Sequence, residues 1–229
     1  MDKILKNPIR EIILSVSFDK NLDIGKLEEF CEKQVIKNDF PTSSPGFDAK
    51  LNLGDLPSSE FNHTGFILKS KESKNILNVK LGKISYHILD RYESYDSILD
   101  KLDKYWGALQ SIFDELAITN ISARYINQIK VLSGEKYEEY IRIKVNTPFD
   151  NIQSQFVNFS LINDSNIKSN VIIASNKDKD LILDIRVEKD EKKVLLKNIS
   201  DIFIELRPIK NNIFQKLVTE KTKEKFEML

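Results

Sequence analysis

The sequence predicts an α+β protein made of two similar halves, each a strand, a helix, antiparallel strands and then a long helix. Together the halves are expected to form a curved sheet or partly closed barrel with the long helices packed on one side. Three observations carry this expectation. Apolar and polar residues alternate over Arg10–Phe18 and over Ala123–Val131, the period-two pattern of a strand with one buried face. Leu99, Leu102, Trp106, Leu109, Phe113 and Leu116 recur at spacings of 3 and 4, which draws one apolar stripe along a helix. The order of elements in residues 8–117 recurs in residues 120–226. Halves 1–118 and 119–229 are expected to fold as one compact unit.

Taken in order, the first strand places Ile12, Leu14, Val16 and Phe18 on one face. A helix follows over Ile24–Ile36, with Asp23 as N-cap and Leu27, Phe30, Cys31 and Val35 inward. Asn38–Pro45 reads as loop, and Phe47–Leu53, Gly65–Ser70, Asn75–Leu81 and Lys83–Leu89 read as strands. Gly82 marks a tight turn or a bulge. The striped helix spans Asp96–Leu116; its Trp and Phe favour packing across a sheet over a coiled-coil seam. Beyond the Ala123–Val131 strand, Ser133 and Gly134 break the chain before a short helix at Glu135–Ile141. Strands at Gln153–Ile162, Lys168–Ala174 and Leu181–Val187 are separated by Asn- and Asp-rich turns. A helix at Val194–Leu206 is expected to stop before Pro208, which disfavours helical backbone at Arg207, and a last helix covers Ile209–Phe226.

Composition excludes several classes. A 41% hydrophobic and 31% charged chain is that of a folded globular protein. The 35 basic and 35 acidic residues cancel, so no global field recruits nucleic acid or anionic membrane. One cysteine, Cys31, allows no internal disulfide, and it reads as a core thiol. The N-terminus has no apolar signal core, and no segment approaches the about 20 apolar residues that span a bilayer; a cytoplasmic location is expected. No Gly-rich phosphate loop occurs, and His63 and His87 sit in no zinc-ligand spacing. No cofactor and no metal are expected.

Four segments occur in order: Leu5–Leu14, Arg91–Tyr95, Arg124–Ile129 and Ile213–Thr219. Together they resemble a sporadically distributed family of uncharacterised prokaryotic proteins of about this length. The resemblance covers nearly the whole chain and singles out Pro8 and Glu11 in the opening, Tyr92 and Tyr95 before the long helix, and Arg124, Tyr125 and Asn127 in the strand. Tyr95 stands where the family usually has Trp. The family's patchy distribution implies a phage-defence or mobile-element setting.

Strand geometry separates the cationic residues from the aromatic ones. Arg124, Ile126, Gln128 and Lys130 point one way, and Tyr125, Asn127, Ile129 and Val131 the other. A face with Arg, Gln and Lys suits an anionic ligand, since guanidinium forks match phosphate and carboxylate; the alternatives are a solvent face or a cross-sheet pair of Arg124 with Glu11. Lys80, Arg142, Lys144 and Arg186 add basic positions within alternating runs. The candidate ligand-binding set is Arg124, Gln128, Lys130, Arg142 and Arg186, with Glu11, Tyr92, Tyr125 and Asn127 as structural motif residues. The first strand offers a metal-dependent hydrolase only Glu11, where paired carboxylates are needed. The leading expectation is a non-enzymatic binding or adaptor protein whose partner is another protein. The alternatives are an enzyme or sensor holding a nucleotide or small phosphate ligand, and a nucleic-acid binder that stacks bases on residues such as Tyr86 and Tyr125.

Overall fold

The computed structural model describes residues 7–52, 58–89, 94–113, 116–144, 154–163, 167–176, 179–194 and 199–226. The first half runs β1 (Ile9–Phe18), α1 (Ile24–Glu32), α2 (Gln34–Asp39), β2 (Thr42–Asn52), β3 (Ser58–Lys69), β4 (Asn75–Lys80), β5 (Lys83–Leu89) and α3 (Tyr95–Gln110). The second runs β6 (Ile118–Ile129), a 3₁₀ turn (Tyr137–Glu139), β7 (Ser154–Ile162), β8 (Lys168–Asn176), β9 (Lys179–Val194), α4 (Ser200–Leu217) and α5 (Glu220–Lys225). The nine strands make one sheet in the order β2-β3-β4-β5-β1-β6-β9-β8-β7, antiparallel throughout. Its two ends, β2 and β7, do not pair, so the sheet is open and the barrel alternative is corrected. Pro45 gives β2 no N–H at that position, and the register of β2 slips between Gly46 and Phe47; both suit a terminal strand.

Helices cover one face. Leu14 pairs with Tyr86 of β5 and Ala123 of β6, and Ile12 with Ile88 and Tyr125, so these side chains share a side. On that side Phe18 stacks on Trp106 of α3, with ring centroids 6.3 Å apart. Tyr86 meets Tyr105 edge-on at 5.7 Å. Helix α4 lies there too, since the Lys210 ammonium sits 4.0 Å from the Tyr125 ring centroid. The Tyr95 hydroxyl ties α3 to α4 by donating to the Phe203 carbonyl at 2.7 Å. The stripe read from the sequence is thus the buried seam of α3, with Leu99, Leu102, Trp106 and Leu109 inward. The helix itself ends at Gln110, before Phe113 and Leu116.

Local chemistry sets the remaining boundaries. Asp23 caps α1 as expected, accepting the Lys26 N–H at 2.9 Å. The expected helix Ile24–Ile36 is instead two, because Lys33 is extended (ψ 136°) and α2 restarts at Gln34. Cys31 is buried at the end of α1, where burial and then Glu32 and Glu28 push its thiol up to about 12. β4 and β5 form a hairpin through Leu81 and Gly82, with Lys80 opposite Lys83. His63, which falls between the predicted strands Phe47–Leu53 and Gly65–Ser70, lies in β3. Two residues on, Gly65 has φ +153°, and a Cβ there would lie 1.9 Å from the Val79 carbonyl oxygen. Only glycine lets β3 approach β4 so closely.

Pro208 does not end its helix; it lies inside α4. Its ring faces the carbonyl of Ile204, which is 54% exposed, so the weakened turn lies on the solvent side. Against the roughly 3 kcal/mol that an interior proline costs, α4 buries Ile202, Phe203, Leu206, Ile213 and Phe214, each worth roughly 1.5–3 kcal/mol. Packing wins. The break comes instead at Val218, which is extended and pairs with Ile141, and Thr219 then caps α5. Tyr92 lies outside the described residues.

Candidate functional site

The sheet face opposite the helices carries the polar positions of the alternation. Strand register arranges them in three parallel rows across β5, β1 and β6. The middle row is Ser85, Ser15 and Ser122, extended on β4 by Asn78 opposite Ser85. On one side lies Lys83, opposite Ser17 and next to Lys80 on β4. On the other lie His87, Ile13 and Arg124, with Arg186 of β9 opposite Arg124. Adjacent rows are two residues apart along each strand, about 7 Å. Short hydroxyl side chains between longer cationic ones leave a groove of about 300 Å³ along the serine row. Among the described residues no carboxylate lines it.

The floor is ordered internally. The Ser15 hydroxyl donates to Ser85 Oγ at 3.0 Å, and Ser15, Ser85 and Ser122 are all buried. Asn78 Oδ1 is buried without a hydrogen-bond partner among the described residues, an uncompensated cost that marks a place for a donor.

The cations differ in how they are held. Arg124 grips Asp184 through Nε at 2.9 and 3.1 Å and through Nη2 at 2.6 Å, a fork-to-fork pair. Those bonds make the guanidinium hold its proton even more firmly than usual. Asp184 is 8% exposed and Arg124 42%, so the pair has one dry end and one wet end. Arg186 contacts Glu188 at 2.6 Å, and Lys80 contacts Asp48 at 2.8 Å. Lys83 is half-buried and has no hydrogen bond or ion pair among the described residues. Burial, then Arg186, and further Arg124 and Lys80 lower its pKa, opposed by Glu188. Lys83 is thus a partly desolvated ammonium with more like than opposite charge about it.

Five residues were expected in the ligand site, and the structure brings two of them together. Arg124 and Arg186 line the groove as cross-strand partners. Gln128 lies further along β6, where it accepts from Arg10 Nε and donates to Asp180, both at 2.5 Å. Lys130 is exposed past the end of β6, and its carbonyl accepts from Lys225 at 2.6 Å. Arg142 pairs with Glu220 at 2.8 Å, near the bridge between Ile141 and Val218. These three do not line the groove. The alternative pairing of Arg124 with Glu11 is not formed: Arg124 pairs with Asp184 and Glu11 with His87 Nδ1 at 2.8 Å, although both carboxylates stand opposite Ile126, one on each side of β6.

Of the motif residues, Tyr125 and Asn127 lie in the core. Asn127 is 2% exposed and donates to the Leu183 and Tyr125 carbonyls at 2.9 and 3.3 Å. Tyr125 and Tyr86 are buried beneath the helices, so neither presents a ring on which a base could stack. Tyr95 packs under Arg207, whose guanidinium carbon is 4.4 Å from the ring centroid.

Lys83, Lys80, Asn78 and the three serines were missed as site residues. Two signals pointed to them: Ser15 and Ser17 alternate with apolar residues in β1, and Lys83 and Ser85 do so in β5. No single segment holds the row, which exists only through register. Chemically the groove offers hydroxyl, amide and ammonium donors to a negative group. The Glu11–His87 contact orients an imidazole at its rim, but the Ser15 and Ser85 hydroxyls bond each other and not that ring. No three His, Cys, Asp or Glu side chains among the described residues come together as metal ligands. No protein-family model and no curated protein matches this chain.

Proposed function

We propose that this protein is a non-enzymatic binding protein that holds an anionic group in the groove on its open sheet face. The observation that carries this reading is Lys83: a half-buried, unpaired ammonium facing a hydroxyl floor, with Arg124, Arg186 and Lys80 around it. Desolvating a cation without a counter-charge is costly, and an arriving anion relieves that cost. Serving as a nucleophile would require a serine bonded to a base, and Ser15 and Ser85 are bonded to each other. The strand order supports a second part of the reading, that the halves arose by duplication. In each, the first strand sits at the sheet centre beside the last strand of its own meander, β1 beside β5 and β6 beside β9.

The test is native mass spectrometry of the protein purified gently from its own host. The wild-type chain is expected to carry an anionic ligand, or a partner, that Lys83→Met loses. A bare wild-type chain, or cargo kept in full by Lys83→Met, refutes the reading. Lys83 is the better probe than Arg124, since removing Arg124 also strands the carboxylate of Asp184.

A further inference from the structure

Resting on the anion-groove reading, we infer that the group held over the serine row is a phosphate monoester, presented by a small hydroxyl-bearing molecule. Cations flank the row on both sides, Lys83 on one and Arg124 with Arg186 on the other. Each flanking row lies about 7 Å from the serines at the backbone, within reach of long side chains bent over the floor. A planar carboxylate presents two oxygens in one plane and satisfies one flank. A tetrahedral phosphoryl group presents three terminal oxygens, one to each flank and one down to the hydroxyls, and as a dianion it balances charge from both sides.

The serine floor fits the same group. Ser15 and Ser85 share one hydrogen bond with Ser15 as donor, which leaves the Ser85 hydroxyl hydrogen free to donate upward. Arg124 spends Nε and Nη2 on Asp184, and its Nη1 edge remains for a ligand. Asn78 supplies the second recognition element. Its buried oxygen, without a partner among the described residues, stands beside Ser85 on the next strand and requires a donor, which the dianionic phosphoryl group of a monoester lacks and a ligand hydroxyl provides. The groove volume of about 300 Å³ matches the lower end of small-molecule sites.

The experiment is an NMR titration of the ¹⁵N-labelled full chain with two dianions of matched charge, glycerol 3-phosphate and succinate. Glycerol 3-phosphate is expected to bind about tenfold or more tightly than succinate, shifting amides of β1, β5 and β6. Lys83→Met is expected to weaken it by about ten- to a hundredfold, the loss of one charge-assisted contact. Asn78→Ala is expected to weaken glycerol 3-phosphate while leaving methyl phosphate, a monoester with no hydroxyl, unchanged. Succinate binding as tightly as the phosphate overturns the monoester inference and leaves the anion groove standing. Binding of neither at millimolar concentration, or binding indifferent to Lys83→Met, overturns both. Methyl phosphate and glycerol 3-phosphate losing equally in Asn78→Ala overturns the hydroxyl-bearing class.

Discussion

Replacing Arg124 and Asp184 one at a time is expected to have unequal consequences. The Asp184 carboxylate is 8% exposed, and Arg124 is its only hydrogen-bonding partner among the described residues. In Arg124→Met the carboxylate stays dry and loses every bond, which for a fully buried pair costs roughly 3–5 kcal/mol. Because one end of the pair is wet, about 3 kcal/mol is the better figure. In Asp184→Leu the stranded group is a guanidinium that is 42% exposed and can turn to water. The new leucine would sit between Ile126 and Ile172, the register partners of Asp184, so this change is expected to cost less than about 1 kcal/mol. The double variant, with no charge left, should also lie within about 1 kcal/mol of wild type, giving a coupling energy of about 3 kcal/mol. Urea unfolding at neutral pH, with unchanged slopes confirming two-state behaviour, measures all four corners of the cycle. Equal costs for the two single variants, or a smaller cost for Arg124→Met, would show that burial asymmetry does not govern the pair.

Three further outcomes follow from the geometry. Gly65→Ala is expected to cost about 3 kcal/mol, from a positive φ and a Cβ driven against the Val79 carbonyl; a melting curve like wild type would refute the close approach. Burial, and then Arg207, lower Lys210 from 10.5 to about 8, so between those values the unfolded chain binds more protons than the folded one. Stability contributed through this group therefore rises with pH across that window. Lys210→Met should abolish the rise and stabilise the protein at neutral pH by about 2 kcal/mol, the penalty of about 3 less the lost Tyr125 ring contact. Matched unfolding curves of wild type and variant at neutral and alkaline pH measure both effects, and an unchanged pH profile would refute them. Cys31, with its thiol pushed up to about 12, should react with a disulfide reagent only after urea unfolds the chain; prompt reaction of the native protein would contradict its burial.

What could be read from the sequence was whatever one segment carries by itself. The alternation of Ile12, Leu14, Val16 and Phe18, and the stripe from Leu99 to Leu109, each report a buried face directly. Boundaries failed where tertiary packing outweighed a local rule. Pro208 continues a helix because five buried side chains outweigh one lost bond, and β2 runs through Pro45 because the sheet ends there. The site was half legible. Arg124 and Arg186 stood out as basic residues in alternating runs, but the same signal admitted Arg142 and Lys130, whose positions only the turns after β6 decide. The serine row was invisible, since Ser15, Ser85 and Ser122 are ordinary residues in their own strands. Asp184 left a trace: Asp184, Arg186 and Glu188 alternate with Leu183, Ile185 and Val187, marking a polar face without naming its partner.

The central strand pair has a kinetic consequence. β1 and β6 meet along their whole length although they lie about a hundred residues apart in the chain, and contacts of such long range form late and slowly. Lys83, Ser85 and Ser15 come from before this seam, Ser122, Arg124 and Arg186 from after it. During synthesis the groove cannot exist until β9 has emerged and docked. Ligand capture then reports a sheet assembled through β9, and any ligand that binds only the assembled seam acts as a latch on the slowest step of folding.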